Sequence, residues 1–330
     1  MPSLNPAIAE IRLAVRTALA DLPEGATVVV ALSGGADSLA LAAATAFEGR
    51  ARGMQVHSIT VDHGLQAGSA DTAADAAAKA EALGIRSTIL AVDVAREGGP
   101  EAAAREARYR ALTQAATDAG ADAVLLGHTL DDQAETVLLG LARGSGAASL
   151  QGMAPVRADE DGLRWMRPLL GVRRQTTRAF CTASALDVWD DPHNGDDRFS
   201  RVRVRERVLP VLETELGPGI AEALARTAEQ LREDAEAFDE MIHETIEDIV
   251  EHAEAGISVS VAALAANPAA LRNRIIRLVV DSEFGASLTR TQTVEVARLV
   301  TDWSGQGPID LPGCSAVRAG GRIVFTASGR

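Results

Sequence analysis

The sequence predicts an α/β protein with a doubly wound parallel sheet, followed by a smaller, mostly helical second domain that ends in a β-hairpin. From residue 26 to 143, short β-branched runs alternate with longer Ala-rich stretches, as in strands joined by crossover helices. The composition changes after Gly217-Pro218-Gly219, where a long charged helix begins. A chain of 330 residues, 47% of them hydrophobic, is long enough for two domains. We place them at 1–216 and 217–330.

The first domain contains four predicted strands, at 27–32, 55–61, 87–92 and 123–127. The helices predicted between and after them cover 37–47, 69–83, 100–119 and 131–142. A sheet of this kind binds ligands beyond the carboxyl ends of its strands, where the strand order reverses. The loops that follow the strands are therefore the places to look for functional residues.

The rest of the chain is less regular. An apolar segment at 165–170 and a helix at 173–186 complete the first domain. The second domain is predicted as a helix at 221–253, a strand at 257–261 and two more helices. Gly320-Gly321 then turns a closing hairpin between 315–318 and 323–326.

Composition excludes several classes of protein. Cys181 and Cys314 are the only cysteines, so the chain has neither a disulfide framework nor a CxxC zinc or redox pair. No stretch reaches transmembrane length, and the first 25 residues carry charges within an amphipathic pattern. We therefore expect a cytoplasmic protein with no membrane contact.

The formal charge of −14 argues at first against a nucleic-acid partner, because phosphate contacts need a positive surface. Between Arg164 and Arg207, however, ten arginines stand against six acidic residues. Lys79 is the only lysine, so any basic surface is built from arginine, which suits bidentate phosphate contacts. Alternatively, the many arginines in this segment reflect a general preference for arginine over lysine in this chain and form no binding surface.

The most informative segment joins the first strand to the first crossover helix through a glycine turn. Backbone N–H groups in such a turn form an anion-binding nest, and the helix N-terminus adds its positive dipole end. No lysine follows the glycines, so this is not the Walker P-loop. We expect it to hold phosphate groups, with Asp37 as a Mg²⁺ ligand. The segment is Ser33, Gly34, Gly35, Ala36, Asp37 and Ser38.

A second polar segment follows the fourth strand and opens a helix. Its acidic residues lie three or four positions apart, on neighbouring faces of the first helical turn. Carboxylates gathered there can hold Mg²⁺, orient an amine or accept its proton. Alternatively, they complement the helix dipole. The candidate catalytic residues of this segment are His128, Asp131, Asp132 and Glu135.

Together these strings resemble a known superfamily and one family within it. The string SGGADS at 33–38 looks like the pyrophosphate-binding loop of the N-type ATP pyrophosphatases, over about 26–143. The order and spacing of further strings match the tRNA(Ile)-lysidine synthases: VDHGL at 61–65, AREARY at 104–109, GHTLDDQAET at 127–136, RGSG at 143–146, RPLL at 167–170, DDPHN at 190–194 and FSRVRVR at 199–205. The resemblance covers about two-thirds of the chain.

The resemblance implies a reaction with ATP and Mg²⁺. In the family, ATP adenylates the C2 carbonyl oxygen of the wobble cytidine of tRNA(Ile) with a CAU anticodon. The ε-amine of free L-lysine then displaces AMP to form lysidine, which changes the codon read from AUG to AUA and the amino-acid identity from methionine to isoleucine. A homodimer is compatible with this resemblance.

The resemblance also assigns roles to individual residues. Asp62 and His63 would join the ATP loop, and Asp37 and Asp132 would hold Mg²⁺. Contacts with tRNA or phosphate would come from Arg105, Arg108, Arg201 and Arg205. The 190–205 segment departs from the family pattern at two positions: His193 stands where a serine is expected, and Val202 stands where an asparagine is expected.

Three other functions share the ATP loop. A tRNA thiolase would need cysteines for persulfide or iron–sulfur chemistry, and a synthetase for a small molecule would give the arginine-rich segment no purpose. A non-catalytic nucleotide sensor would not need the second acidic segment.

Overall fold

The structure is a computed structural model that describes residues 5–64, 68–92, 100–144, 146–191, 195–253 and 256–328. The chain forms two compact units, Met1–Arg232 and Glu233–Arg330. Among the described residues, no helix is long and apolar enough to span a bilayer.

A six-stranded sheet with the order β3-β2-β1-β4-β6-β5 lies at the centre of the first unit. Every neighbouring pair is parallel except β5 and β6. The strand order reverses between β1 and β4, so the doubly wound sheet is confirmed. The strands are β1 Thr27–Ala31, β2 Gln55–Asp62, β3 Arg86–Ala91, β4 Ala123–Leu125, β5 Val156–Ala158 and β6 Arg164–Met166.

Helices cover both faces of this sheet. Two of them begin with a side-chain cap: Asn5 accepts from the N–H of Ala7, and Thr129 caps the helix after β4. The helices are α1 Pro6–Ala20, α2 Ala36–Arg50, α3 Ser69–Ala82, α4 Pro100–Asp118, α5 Leu130–Ala142, α6 Ala147–Leu150, α7 Arg174–Ala183, α8 Ser200–Arg203, α9 Leu209–Glu215 and α10 Ile220–Ile249, with a π-helical turn at Val204–Val208 between α8 and α9.

The core of the first unit has two layers because successive side chains of a strand point to opposite faces. Val28 and Val30 of β1 pack in the layer that contains Ile11 of α1. Val29, between them, packs with Leu112 of α4 in the other layer. A strand buried on both faces is apolar at every position, which is why β1 reads as a continuous run in the sequence.

The second unit contains a five-stranded antiparallel sheet with the order β7-β8-β11-β10-β9. The predicted closing hairpin is confirmed, with Gly320 and Gly321 both at positive φ in its turn. Its elements are β7 Val250–Ala253, β8 Gly256–Ser260, α11 Val261–Ala266, α12 Ala269–Phe284, α13 Arg290–Thr301, β9 Ile309–Leu311, β10 Cys314–Ala319 and β11 Arg322–Ala327.

The sequence prediction was wrong at the end of the long helix. It placed 250–253 in the helix, whereas α10 stops at Ile249 and β7 pairs with β8. Local helical periodicity does not reveal a pairing that depends on a partner strand. Three helices follow β8, where two were expected.

The division into two units falls inside α10, whereas the sequence places a boundary before it, at 216/217. The start of α10 belongs to the first unit for a physical reason. Ala221 is buried in a cluster with Leu130 and Ala134. Arg232 donates to the carbonyl oxygens of Gln151 and Met153, each at 3.0 Å.

Candidate functional site

The glycine loop between β1 and α2 is stabilised by its own serines. The Ser38 hydroxyl accepts a hydrogen bond from the backbone N–H of Ser33 at 3.2 Å and donates to the carbonyl of Gly35 at 3.0 Å. Gly34 has φ +83°, and its carbonyl accepts from the N–H of Trp189 at 3.1 Å. These hydrogen bonds fix the shape of the loop, and the binding of phosphate by its free N–H groups stays a prediction.

The two polar segments predicted from the sequence lie side by side. Gly127, at the end of β4, approaches the first turn of α2 so closely that a Cβ there would lie 3.1 Å from the carbonyl carbon of Asp37 and from the amide nitrogen of Ser38. β1 and β4 flank the point where the strand order reverses, and this is the edge at which doubly wound sheets generally bind ligands.

A cavity of about 440 Å³ opens beside the glycine loop, at the carboxyl ends of β1 and β2. Asp62 and His63, both predicted as ATP contacts, line it together with Arg108. Burial and the neighbouring Arg108 lower the pKa of His63, which favours the neutral imidazole. Trp189 and Phe199 add aromatic surface that the sequence analysis did not identify.

The acidic segment is organised around Arg174, another residue that the sequence analysis missed. Its guanidinium Nη2 donates to Asp132 Oδ1 at 2.8 Å and its Nη1 donates to Glu135 Oε1 at 3.2 Å. Its Nε lies 3.5 Å from Asp37 Oδ2. The other oxygen of Asp37 accepts a hydrogen bond from the buried hydroxyl of Thr177. Nothing in the local sequence shows that α7 delivers these side chains.

Glu135 is fully buried and is held by arginines. Arg205 donates to both of its carboxylate oxygens, at 2.7 and 3.1 Å. Arg201 Nε lies 3.8 Å from Glu135 Oε2, and its Nη2 donates to Thr136 at 3.1 Å. Two of the four arginines predicted to contact tRNA or phosphate, Arg201 and Arg205, are therefore partners of a predicted catalytic acid.

Asp131 turns toward the start of α7. Its Oδ2 accepts from the backbone N–H of Arg174 at 2.8 Å, and its Oδ1 lies 3.4 Å from Arg173 Nη1. A carboxylate at a helix N-terminus satisfies a free N–H group and complements the dipole. This contact ties α5 to α7.

The local environment separates the protonation behaviour of the remaining groups. Burial lowers the pKa of His128 to about 4, and its Nδ1 has no hydrogen-bond partner among the described residues. Burial raises the pKa of Asp37, against the opposing effects of Thr177 and Arg174. The pKa of Asp132 is lowered by Arg174 and by two hydrogen bonds from Thr129, which outweigh its burial.

No group of three or more His, Cys, Asp or Glu side chains is placed to hold a metal ion within the part of the chain that the structure describes. Mg²⁺ commonly takes one or two carboxylates and obtains its other ligands from phosphates and water. Of the two predicted ligands, Asp132 is already paired with Arg174 at 2.8 Å. Asp37 is the better candidate for a Mg²⁺ ligand because its carboxylate is partly exposed beside the glycine loop.

The remaining predicted residues are dispersed. Arg105 is exposed and lies over the ring of Tyr109, 5.0 Å from its centroid. Val202 is buried in α8, and His193 lies outside the described residues. Cys181 is buried, donates to the carbonyl of Ala36, and has a pKa raised by burial to about 11. A buried neutral thiol is unsuited to the chemistry of a thiolase.

The fold and the glycine loop define a PP-loop protein, and the PP-loop domain family matches residues 9–212. The TilS substrate binding domain family matches residues 260–324. The chain belongs to the tRNA(Ile)-lysidine synthase family. It is 58% identical to the tRNA(Ile)-lysidine synthase of Leifsonia xyli subsp. xyli over 92% of this chain and 91% of that one.

Other relatives are similar over nearly their whole length. The tRNA(Ile)-lysidine synthase of Salinispora tropica is 50% identical over 98% of each chain, and that of Streptomyces coelicolor is 48% identical over 97% of this chain and 98% of that one. Among solved structures, the U34-tRNA thiolase NcsA from Methanococcus maripaludis aligns with a TM-score of 0.59 at 21% identity, over 69% of this chain and 80% of that one. That likeness shows the shared fold.

Proposed function

We propose that this protein is an ATP-dependent ligase that joins free L-lysine to C2 of the wobble cytidine of tRNA(Ile) with a CAU anticodon. The observation that carries the proposal is the contact between the two polar segments. The close approach of Gly127 to Asp37 and Ser38 places the acidic start of α5 beside the glycine loop and the first turn of α2. Activation by ATP and attack by an amine can then occur in one site.

In the proposed reaction, the loop at 33–38 and the N-terminus of α2 hold the ATP phosphates. The cavity lined by Asp62, His63, Trp189 and Phe199 accepts the adenosine part of ATP. Transfer of AMP to the C2 oxygen of cytidine releases pyrophosphate and turns a poor electrophile into a reactive one. Fixed N–H donors stabilise the charge that develops on the phosphates without needing to reorganise.

The lysine ε-amine then attacks C2, and AMP departs with the former carbonyl oxygen. The amine must lose its protons to become a nucleophile and to complete the substitution. His128 is neutral at physiological pH because burial lowers its pKa to about 4, so it can accept a hydrogen bond from the amine. Asp132 remains ionised beside it, and its negative charge attracts the cationic ammonium group of the incoming lysine.

We assign the Mg²⁺ that accompanies ATP to Asp37. Bound there, the ion would neutralise charge on the phosphates. The tRNA backbone would meet the exposed Arg203 and Arg207, and the second unit would contact another part of the tRNA. A homodimer remains a prediction of the family resemblance, and a cytoplasmic location remains a prediction of the composition.

The test is the incorporation of radiolabelled free lysine into unmodified tRNA(Ile) with a CAU anticodon, with purified protein, ATP and Mg²⁺. Elongator tRNA(Met), which carries the same anticodon bases, is the control substrate. We expect label in tRNA(Ile) alone, with AMP and pyrophosphate in equal amounts. ATP cleavage without transfer of lysine would retain the PP-loop chemistry and refute the proposed substrate.

A further inference from the structure

Arg174 lies where the ATP loop and the acidic segment meet. Its guanidinium group reaches Asp132 at 2.8 Å, Glu135 at 3.2 Å and Asp37 at 3.5 Å. Its side chain is 19% exposed, and the Glu135 side chain is 0% exposed. One cation therefore bridges acids from α2 and α5, and it does so from α7.

The shape of the side chain explains why arginine is suited to this position. The planar guanidinium presents donors in several fixed directions, whereas a lysine ammonium is a point charge on a flexible stem. Each nitrogen of Arg174 faces a different carboxylate. Three neighbouring carboxylates would repel one another without a shared cation, and the geometry of the site would open.

The arrangement has a second support. The backbone N–H of Arg174 donates to Asp131, so the helix that carries the guanidinium is itself fixed to α5. Thr177, one turn later, donates to Asp37. Two side chains and one backbone group of α7 thus hold acids of both polar segments.

We propose that Arg174 is a positioning residue for the reaction. Its guanidinium group fixes Asp37, beside the glycine loop, relative to Asp132 and Glu135 in the acidic segment. This inference rests on the proposed function. Removal of the guanidinium would slow turnover more than it weakens the binding of either small substrate, because both segments persist while their mutual placement changes.

The experiment compares steady-state lysine transfer by the full-length wild type, Arg174→Gln, Arg174→Lys, Arg174→Ala and Arg178→Gln. Arg178 is the matched control because it lies on the same helix, four residues later, in an exposed pair with Asp190. Transfer by the wild type tests the proposed function separately from the role of Arg174. Thermal unfolding of each variant measures its folding.

We expect kcat to fall about 100-fold in Arg174→Gln and about tenfold in Arg174→Lys, with KM for ATP and lysine changed much less. Arg178→Gln should stay within about twofold of the wild type. Added guanidinium chloride, below denaturing concentrations, should restore part of the turnover of Arg174→Ala and none in Arg174→Lys, whose ammonium fills the place.

Two results would overturn the inference. One is a kcat for Arg174→Gln equal to that of Arg178→Gln. The other is a defect confined to KM for one substrate, since that would make Arg174 a binding contact. If Arg174→Gln does not fold, Arg174→Lys tests the inference instead, because it keeps the positive charge. A wild-type kcat in Arg174→Lys would show that the planar guanidinium group is not required.

Discussion

Glu135 is the most enclosed acid of the site, with Arg174, Arg201 and Arg205 around its carboxylate. A buried carboxylate of this kind is stabilised only while its partners are present. We propose that Glu135 is an anchor for arginines and does not meet the substrate directly. At the scale of single residues, we propose that Glu135 and Asp131 organise the protein, while Asp37 and Asp132 lie near the ligands.

Replacement of Glu135 by glutamine tests this division. The neutral amide leaves buried guanidinium groups without their counter-charge, so the free energy of unfolding should fall by about 3 kcal/mol. Chemical denaturation measures the change, and the exposed Glu229→Gln is the control. An unchanged free energy of unfolding would show that the arginines do not depend on this carboxylate.

His128 should make the stability of the protein depend on pH. Burial lowers its pKa from 6.5 to about 4 in the folded state. Above pH 6.5 the imidazole is neutral in both states and contributes nothing. As the pH falls from 6.5 toward 4, the unfolded chain binds a proton that the folded chain does not, so the free energy of unfolding decreases, by up to about 1.4 kcal/mol per pH unit.

His128→Asn should remove this contribution. Denaturation of the wild type and the variant across that pH range should show the wild type losing more stability than the variant. The exposed His243→Asn is the control and should follow the wild type. Parallel curves for wild type and His128→Asn would contradict the assignment.

At the scale of elements, α5 shows how a helix start becomes part of a site. The N–H and the hydroxyl of Thr129 both donate to Asp132 Oδ2, each at 2.8 Å. This capping box satisfies a free N–H group of the helix and also fixes a carboxylate of the site. Asp132 belongs both to the helix cap and to the candidate site. One substitution in the cap should therefore change both the stability of the protein and its rate of lysine transfer.

Thr129→Ala should lower the free energy of unfolding by about 1–2 kcal/mol and should also reduce lysine transfer, because Asp132 loses a donor. Thr289→Ala is a matched control, since Thr289 forms the same capping box with Gln292 in α13 of the second unit. The control should lose stability while its turnover per folded molecule stays unchanged. Equal turnover in the two variants would show that the Thr129 cap does not contribute to lysine transfer.

The segment with α8, the π-helical turn and α9 bears arginines of two kinds. Arg201 and Arg205 face Glu135, whereas Arg203 and Arg207 are exposed. Arg207 pairs with Asp197, whose side chain is also exposed. Exposed arginines can exchange such a partner for a phosphate at little cost. We therefore expect the tRNA backbone to meet Arg203 and Arg207.

Substitution of Arg203 or Arg207 by glutamine should weaken tRNA binding and reduce the slope of log Kd against log salt by about 0.7–0.9 for each phosphate that the variant no longer binds. Fluorescence anisotropy over a range of salt concentrations measures both. Arg50→Gln, at the end of α2 far from the ligand-binding edge, is the control. A slope equal to that of the control would place the phosphates elsewhere.

At the scale of the whole molecule, the sequence predicts four of the six strands in the first sheet, because they are apolar runs separated by helical periodicity, and it does not predict β5 and β6 as strands. It also predicts both polar segments of the site, since each follows a strand and opens a helix. It does not reveal Arg174 or Thr177, because their contacts join positions about 40 and 140 residues apart in the chain. Nor does it reveal β7, whose strand conformation depends on pairing with β8.

This division has a physical cause. Periodicity and turn chemistry are local, so they specify elements and the loops that carry phosphate-binding groups. Ion pairs between elements depend on how α5 and α7 pack, which local pattern does not encode. The family match at 9–212 and at 260–324 supplies the substrate, which the geometry of one unit would not reveal by itself.

The most direct test of the central claim is to identify the wobble nucleoside itself. Unmodified tRNA(Ile) with a CAU anticodon is incubated with the protein, ATP, Mg²⁺ and isotopically labelled lysine, then digested and analysed by mass spectrometry. We predict that lysidine carrying the label replaces the wobble cytidine, with one AMP formed for each lysidine. An unmodified cytidine, or label attached at any other nucleoside, would contradict it.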